Sequence, residues 1–351
     1  DEIVKIDGVD IVLGNIGKSK VADYIDEYIK TKTKKADIYD MMETTFEPMI
    51  LNNFNKTRAF IKIQDGCNNY CSFCIIPFVR GNVRSKQRED VLKEANNLIK
   101  EGHKEIVLTG IHTGHYGSDL DNYTFSDLLS ELCMIEGLER LRISSIEITE
   151  LDEDFLNVLE NNKIIVDHMH IPLQSGSNSV LKNMNRKYDK KYFMDKIEKI
   201  RTIRPDISIT TDVIVGFPGE TEEEFNETLE VVNTCKYDGA FTFIFSARAG
   251  TPAANMKDNV ILEEKEKRLH KLNELINKYS KEANDKYLNK TVKVLIEGVS
   301  EKGEDTLMGY TDTMKLVNVK ADKKYIGTIQ SVDITSVKTW SMDGIIRRSE
   351  E

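Results

Sequence analysis

GCNNYCSFCIIPFVRG, residues 66–81, decides how this chain reads. Cys67, Cys71 and Cys74 stand in C-x3-C-x2-C spacing directly after RAFIKIQ (58–64), an apolar, strand-like run. Three thiolates from one loop can hold three irons of a 4Fe–4S cluster and leave the fourth iron open to a substrate or cofactor. A structural zinc site would want a fourth protein ligand, and no other Cys or His lies nearby in the sequence. The two remaining cysteines, Cys133 on a helical apolar face and Cys235 at a helix end, read as buried thiols. An odd total of five is a poor match to a secreted disulfide framework and suits a reducing compartment.

Outward from the loop, β-rich runs alternate with amphipathic stretches. KEIVLTG (104–110), RLRISS (140–145), IIVDHMHIPL (164–173), ISITTDVIVG (207–216) and GAFTFIFS (239–246) follow the first run. Between them Val91, Leu92, Ala95, Leu98 and Ile99 fall at helical spacing, as do Phe193, Ile197 and Ile200. Six strand–helix units in series predict an α/β fold with a parallel sheet and helices outside, doubly wound or a barrel. Active sites of such sheets gather at the carboxyl ends of the strands. TGIHTG, SSIE, QSGS, GFPGET and SARAGTP stand at those ends.

A charged helix with Leu269, Leu272, Ile276, Tyr279, Ala283 and Tyr287 on one face is expected to close this unit. From Thr291 five short β-rich pieces predict a small OB-like barrel. Residues 286–351 carry a net charge of about +1 and the remainder about -11, which marks a border. At the front, VDIVLG (9–14) reads as a strand and KSKVADYIDEYIK (18–30) as its helix, followed by a charged linker. One βα unit cannot form a domain alone, so the chain is expected to begin inside something larger. The expected units are 1–50, 53–285 and 286–345.

Composition narrows the class. With 31% charged residues and only 6 Pro, the chain is neither collagenous nor disordered. No apolar run approaches the roughly 18–20 residues of a membrane span. The start, DEIVKIDGVD, has neither an initiator Met nor a signal-peptide layout, so a cytoplasmic protein whose front has been lost is expected. A net charge of -10 argues against coating nucleic acid by bulk charge and leaves room for a local basic patch.

The cysteine spacing, with Phe73 before the third cysteine, on the loop after the first of six βα units, resembles the radical S-adenosylmethionine (SAM) superfamily. IKIQDGCNNYCSFCIIPFVRG (61–81), EIVLTGIHTGHYG (105–117), LRISSIE (141–147), HMHIPLQSGSNSVLKNMNRKY (168–188) and TTDVIVGFPGETEEEF (210–225) resemble its methylthiotransferases. GTPAA and the terminal β-rich segment resemble their barrel end and TRAM domain. HTGHYG and RISSIE are most similar to the enzymes that act on threonylcarbamoyladenosine (t6A) beside the tRNA anticodon.

The resemblance implies a partial (βα)6 barrel, an OB-like TRAM domain and a remnant of an α/β amino-terminal domain. It implies a transferase that adds a methylthio group to C2 of t6A at position 37 of tRNA, by a 5′-deoxyadenosyl radical derived from SAM on the cluster of Cys67, Cys71 and Cys74. A reductant such as flavodoxin or ferredoxin would supply the electron. Isopentenyl-adenosine in tRNA, or an aspartate of a ribosomal protein, is the alternative substrate. A non-catalytic iron–sulfur RNA-binding protein is the alternative of another class, although binding RNA needs no open iron. The family's second 4Fe–4S cluster sits on amino-terminal cysteines, and none precedes Cys67 here.

By the same resemblance Thr109 and Gly110 would meet the methionyl end of SAM, with Ser145, Gln174, Asp212 and Gly216 as further cofactor contacts. Read without it, Gly216, Pro218 and Gly219 form a turn before a helix capped by Thr221, with Glu224 three residues on. His168 and His170 point the same way on a strand and read as barrel-lining. Arg80 and Arg84, beside Lys86 and Arg88, are candidates for gripping RNA phosphates, as are Lys315, Lys320, Lys323 and Lys324 of the terminal domain, with Lys293. No general acid or base is assigned.

Overall fold

A computed structural model describes residues 2–14, 17–38, 45–47, 49–51 and 54–347. Six parallel strands form its centre: β3 (Ala59–Lys62), β6 (Glu105–Thr109), β7 (Arg140–Ile143), β8 (His168–His170), β9 (Ser208–Val215) and β10 (Gly239–Ile244). They lie side by side in chain order, β7 meeting the approach to β8 through the Leu141–Ile165 bridge. Among the described residues no pairing joins β3 to β10, so the barrel is open along one side. Every crossover carries a helix, as parallel pairing requires: α3 (Arg88–Lys100), α4 (Phe125–Leu132), α5 (Glu153–Asn161), α7 (Lys190–Ile203) and α8 (Glu222–Cys235).

Alternation along the strands sorts core from lumen. Ala59, Ile61 and Ile63 are buried against the helix layer with Val91, Ala95 and Leu98 of α3, while Phe60 and Lys62 face the other way. Helix starts follow local chemistry. Thr124 and Asp127 form a capping box on α4, and Thr221 with Glu224 does so on α8, where the sequence places it. The long helix α9 (Leu262–Asp285) buries Leu272, Ile276 and Tyr279 and packs on β10 and α8.

Five strands then close into a small barrel in the order β11 (Thr291–Val299), β12 (Thr306–Thr311), β13 (Leu316–Lys320), β15 (Met342–Ile346), β14 (Ile329–Val337) and back to β11. It is docked under the amino ends of the large barrel's strands. Arg58 Nε lies 2.7 Å from Glu297 Oε1, Arg140 donates to the carbonyls of Tyr310 (3.0 Å) and Lys293 (2.9 Å), and Lys315 Nζ lies 2.8 Å from Asp238. Asn284 of α9 donates to the Lys338 and Thr339 carbonyls at 2.9 Å each.

The front contains one βαβ unit: β1 (Ile11–Leu13), α1 (Val21–Thr31) and β2 (Lys35–Asp37), the two strands parallel. The expected linker therefore opens with a strand, KAD, which its charge conceals. Residues 39–44 and 48 of that linker, and 53 at the expected start of the barrel unit, lie outside the described residues. No helix among the described residues is long and apolar enough to cross a membrane.

Candidate functional site

The three cysteines lie between the short strand β4 (Gln64–Asp65) and the helix α2 (Ile76–Arg80), β4 pairs with β5 (Arg84–Ser85), and the cysteine loop is fixed from several sides. Gly66 has φ +74°, and a Cβ there would stand 1.8 Å from the Asn82 carbonyl oxygen, so only glycine lets the two segments pass. Cys67 N–H donates to the Gly81 carbonyl (3.1 Å) and Cys74 N–H to the Cys71 carbonyl (3.0 Å). Ser72 is tied to the turn after α6 (Asn178–Asn183) through the carbonyls of Met184 (3.0 Å) and Asn183 (2.7 Å).

All three thiols are free. Burial, with the neighbouring Cys71 and Cys74, pushes the Cys67 thiol up to about 11, and burial also raises Cys71 against the pull of the Arg186 guanidinium. Three thiolates here need a bound cation to be stable. A single zinc ion would draw its sulfurs together at Zn–S distances of about 2.3 Å. Yet among the described residues the one group of three such side chains whose ligand atoms all lie within 4.8 Å of one another is His112, His115 and Glu150, so the three sulfurs are not gathered as tightly as around one small ion. The donor set fits a 4Fe–4S cluster with one iron left open.

Two side chains that the sequence reading missed touch the sulfurs. Arg186 Nη1 donates to Cys71 Sγ at 3.3 Å and also pairs with Glu147, and His112 Nδ1 lies 3.6 Å from Cys67 Sγ. His112 Nε2 in turn meets Glu150, and its ring stacks on His115 at 3.8 Å between centroids. Burial lowers the His112 imidazole and raises the Glu150 carboxyl, so each charged form is disfavoured here. The signal was present in TGIHTG, SSIE and NRKY, but only folding brings these motifs to one loop.

The expected cofactor residues sit at the same end. Gly110 closes on Gln64, whose Oε1 a Cβ would meet at 3.0 Å and which accepts from the His112 N–H at 2.8 Å. Thr109 ends β6, and Ser145 is half-buried just past β7. Gln174 has φ +65° and bridges to β9, donating its N–H to the Asp212 carbonyl at 2.8 Å, and the Asp212 carboxylate lies 3.2 Å from His170 Nε2. Gly216 is otherwise committed. Its N–H donates to Glu220 at 2.7 Å, and Lys265 covers its Cα so closely that a Cβ would stand 2.3 Å from Lys265 Cγ.

The basic candidates divide. Arg84 is buried, donating to the carbonyls of Arg80 (2.7 Å) and Asn82 (3.3 Å) and lying 3.6 Å from Asp65, so it braces the cysteine loop and does not reach RNA. Lys315 is likewise buried on Asp238 between the two barrels; the sequence reading of it as an RNA contact is corrected by its place in the fold. Lys86 is internal too, paired with Glu94, and Arg88 holds Glu131 at 2.9 Å. Arg80 is part-exposed beside Asp65, whereas Lys293, Lys320, Lys323 and Lys324 are exposed.

Comparison with known proteins agrees with this geometry. The model described as the radical SAM superfamily matches residues 61–232, and the TRAM domain model matches residues 285–346. The chain is similar to threonylcarbamoyladenosine tRNA methylthiotransferase MtaB of Bacillus subtilis (strain 168), 44% identical over 95% of this chain and 75% of that protein. It is also similar to tRNA-2-methylthio-N(6)-dimethylallyladenosine synthase of Acetivibrio thermocellus, 39% identical over 97% of this chain and 71% of that protein. The enzyme of the same name from Clostridium tetani is 41% identical, over 97% and 76%.

Proposed function

Since this chain belongs to the radical SAM tRNA methylthiotransferases, we propose that it serves the addition of a methylthio group to C2 of t6A at position 37 of tRNA, in the cytoplasm. The observation that carries the chemistry is the triad of Cys67, Cys71 and Cys74 at the carboxyl end of the first barrel strand, Cys71 buried and the other two half-buried. The choice of t6A over the dimethylallyl substrate rests on the 44% identity to the relative named for it.

In this reading Cys67, Cys71 and Cys74 hold the cluster, while Thr109, Gly110, Ser145, Gln174 and Asp212 line the space for SAM. When bound, cluster and SAM together supply the one-electron chemistry of the reaction. The chain's own residues prepare the place. Arg186 and His112 offer N–H groups to two of the sulfurs, and Glu147 and Glu150 fix those side chains in turn. Flavodoxin or ferredoxin is the proposed electron donor. Sulfur insertion in this family draws on a second cluster whose cysteines are not among the five of this sequence.

The test is nucleoside analysis of tRNA from cells with and without the gene. Loss of 2-methylthio-t6A, with t6A rising in its place, is expected. Loss of the 2-methylthio dimethylallyl nucleoside instead would move the substrate to the other named class.

A further inference from the structure

The lumen of the open barrel leads down to the small barrel through a cavity of about 530 Å³. Arg58, Arg142, His168, His170, Thr210 and Lys315 are among the residues lining it. A relay runs from Asp212, outside the lining, through the polar groups of its wall. His170 Nε2 lies 3.2 Å from Asp212, His170 Nδ1 lies 2.9 Å from Thr210 Oγ1, and that oxygen lies 3.1 Å from His168 Nε2. When His170 donates to the Asp212 carboxylate, its Nδ1 accepts from the Thr210 hydroxyl. The hydroxyl oxygen then accepts from His168 Nε2–H, and His168 Nδ1 is left as an acceptor.

That Nδ1 is buried without a partner among the described residues, on a side chain 8% exposed. Arg142, 3% exposed, commits Nε to Glu105 (2.6 Å) and Nη2 to the Thr311 carbonyl (3.4 Å), and its Nη1 is also buried without a partner. One unpartnered acceptor and one unpartnered cationic donor thus belong to side chains of the same cavity wall. Three cations, Arg58, Arg142 and Lys315, line it against one carboxylate, Asp238. The glutamates that pair with Arg58 and Arg142 are not in the lining. At the mouth Phe241 and Trp340 are exposed, offering aromatic faces to a base.

We propose that this cavity holds the N6 substituent of the target adenosine and selects one that carries a carboxylate and a hydroxyl, the carboxylate accepting from Arg142 Nη1 and the hydroxyl donating to His168 Nδ1. The inference rests on the t6A reading above and gives it a structural basis. A threonylcarbamoyl group has both functions. A dimethylallyl group has neither and would leave the buried guanidinium and imidazole unpaired, the situation in which a hydrogen-bonding site discriminates most strongly. The volume leaves room for the substituent and bridging water.

The test uses equilibrium binding to the full chain, without SAM or reductant, of four anticodon stem-loop RNAs that differ at one adenosine: unmodified, dimethylallyl, threonylcarbamoyl, and threonylcarbamoyl with its carboxylate converted to the primary amide. The acid should bind tightest, and the amide about ten- to a hundredfold more weakly, as loss of a charge-assisted hydrogen bond requires. His168→Leu should weaken the threonylcarbamoyl RNA and leave the unmodified RNA unchanged. The amide RNA asks the question of Arg142 without disturbing its pairing with Glu105. Equal binding of acid and amide, both above dimethylallyl, would overturn the inference and spare the t6A reading. Tightest binding of the dimethylallyl RNA would overturn both.

Discussion

His168 shows what a residue's surroundings add to its identity. Burial holds its imidazole well below the usual histidine range, and Arg142, His170, Lys315 and Arg58 push the same way. The unfolded chain therefore takes up the proton first, near pH 6.5, so this contribution to stability is complete above that pH and declines as the pH falls below it. The slope approaches about 1.4 kcal/mol per pH unit from this one group. Thermal unfolding followed from pH 7 to 5.5 should therefore lose less midpoint temperature in His168→Asn than in the parent; parallel curves would show that the buried ring tolerates its charge. Cys67, Cys71 and Cys74 were legible because their chemistry is written in local spacing. Anaerobic reconstitution should load one 4Fe–4S cluster, about four iron atoms per chain, and replacement of all three cysteines by Ala should abolish it. Iron and sulfide analysis that finds two clusters, or one surviving the replacement, would refute the assignment. Arg186 and His112 were not legible, since their contacts to the sulfurs join segments more than forty residues apart in sequence.

Among the elements, those with a strong period or a cap were read correctly, and those defined by a distant partner were missed. Six apolar runs became the six barrel strands, and Thr221 with Glu224 starts α8 as the sequence indicates. The strand Lys35–Asp37 carries no apolar pattern and exists through its pairing with β1. The basic run after the cysteines misled for a related reason: a lysine looks solvated until a fold supplies a buried carboxylate. Lys86 and Glu94, each 2% exposed, pair where α3 meets the incoming chain, and both reach it, Lys86 Nζ donating to the Met49 carbonyl at 2.7 Å and Glu94 accepting from the Leu51 N–H at 3.2 Å. Glu94→Ala leaves a buried ammonium without its countercharge and should cost about 3–5 kcal/mol in urea unfolding. Lys86→Met with Glu94→Leu should recover most of that loss, because no buried charge remains. A single variant as stable as the parent would mean that the lysine escapes to water.

On the scale of the whole molecule, the terminal barrel is a floor as well as a module. The sequence suggests a detachable domain, because a charge border and five short strands mark its start but nothing in a linear pattern shows what it docks against. In the fold, Arg58, Arg140, Arg142 and Lys315 all cross the junction to partners on the other side. Deleting residues 288–340 would therefore unpair the barrel's underside, and any loss of RNA binding would mix contact with stability. Lysine replacements separate the two. Lys320, Lys323 and Lys324 are exposed within a few residues of one another, on β13 and the turn that follows. Replacing all three by Ala should weaken tRNA binding and flatten its dependence on salt by about two units of slope, as loss of phosphate contacts releases fewer counterions. Thermal unfolding should barely move, since exposed lysines contribute little to stability. Lys315→Ala should do the reverse, because it strands Asp238 in the junction. Stability should fall by about 3–5 kcal/mol while the salt slope holds. Binding of tRNA at two salt concentrations, paired with urea unfolding of each variant, separates contact from support. A flattened slope in Lys315→Ala at unchanged stability would place that lysine on the RNA and not under the barrel.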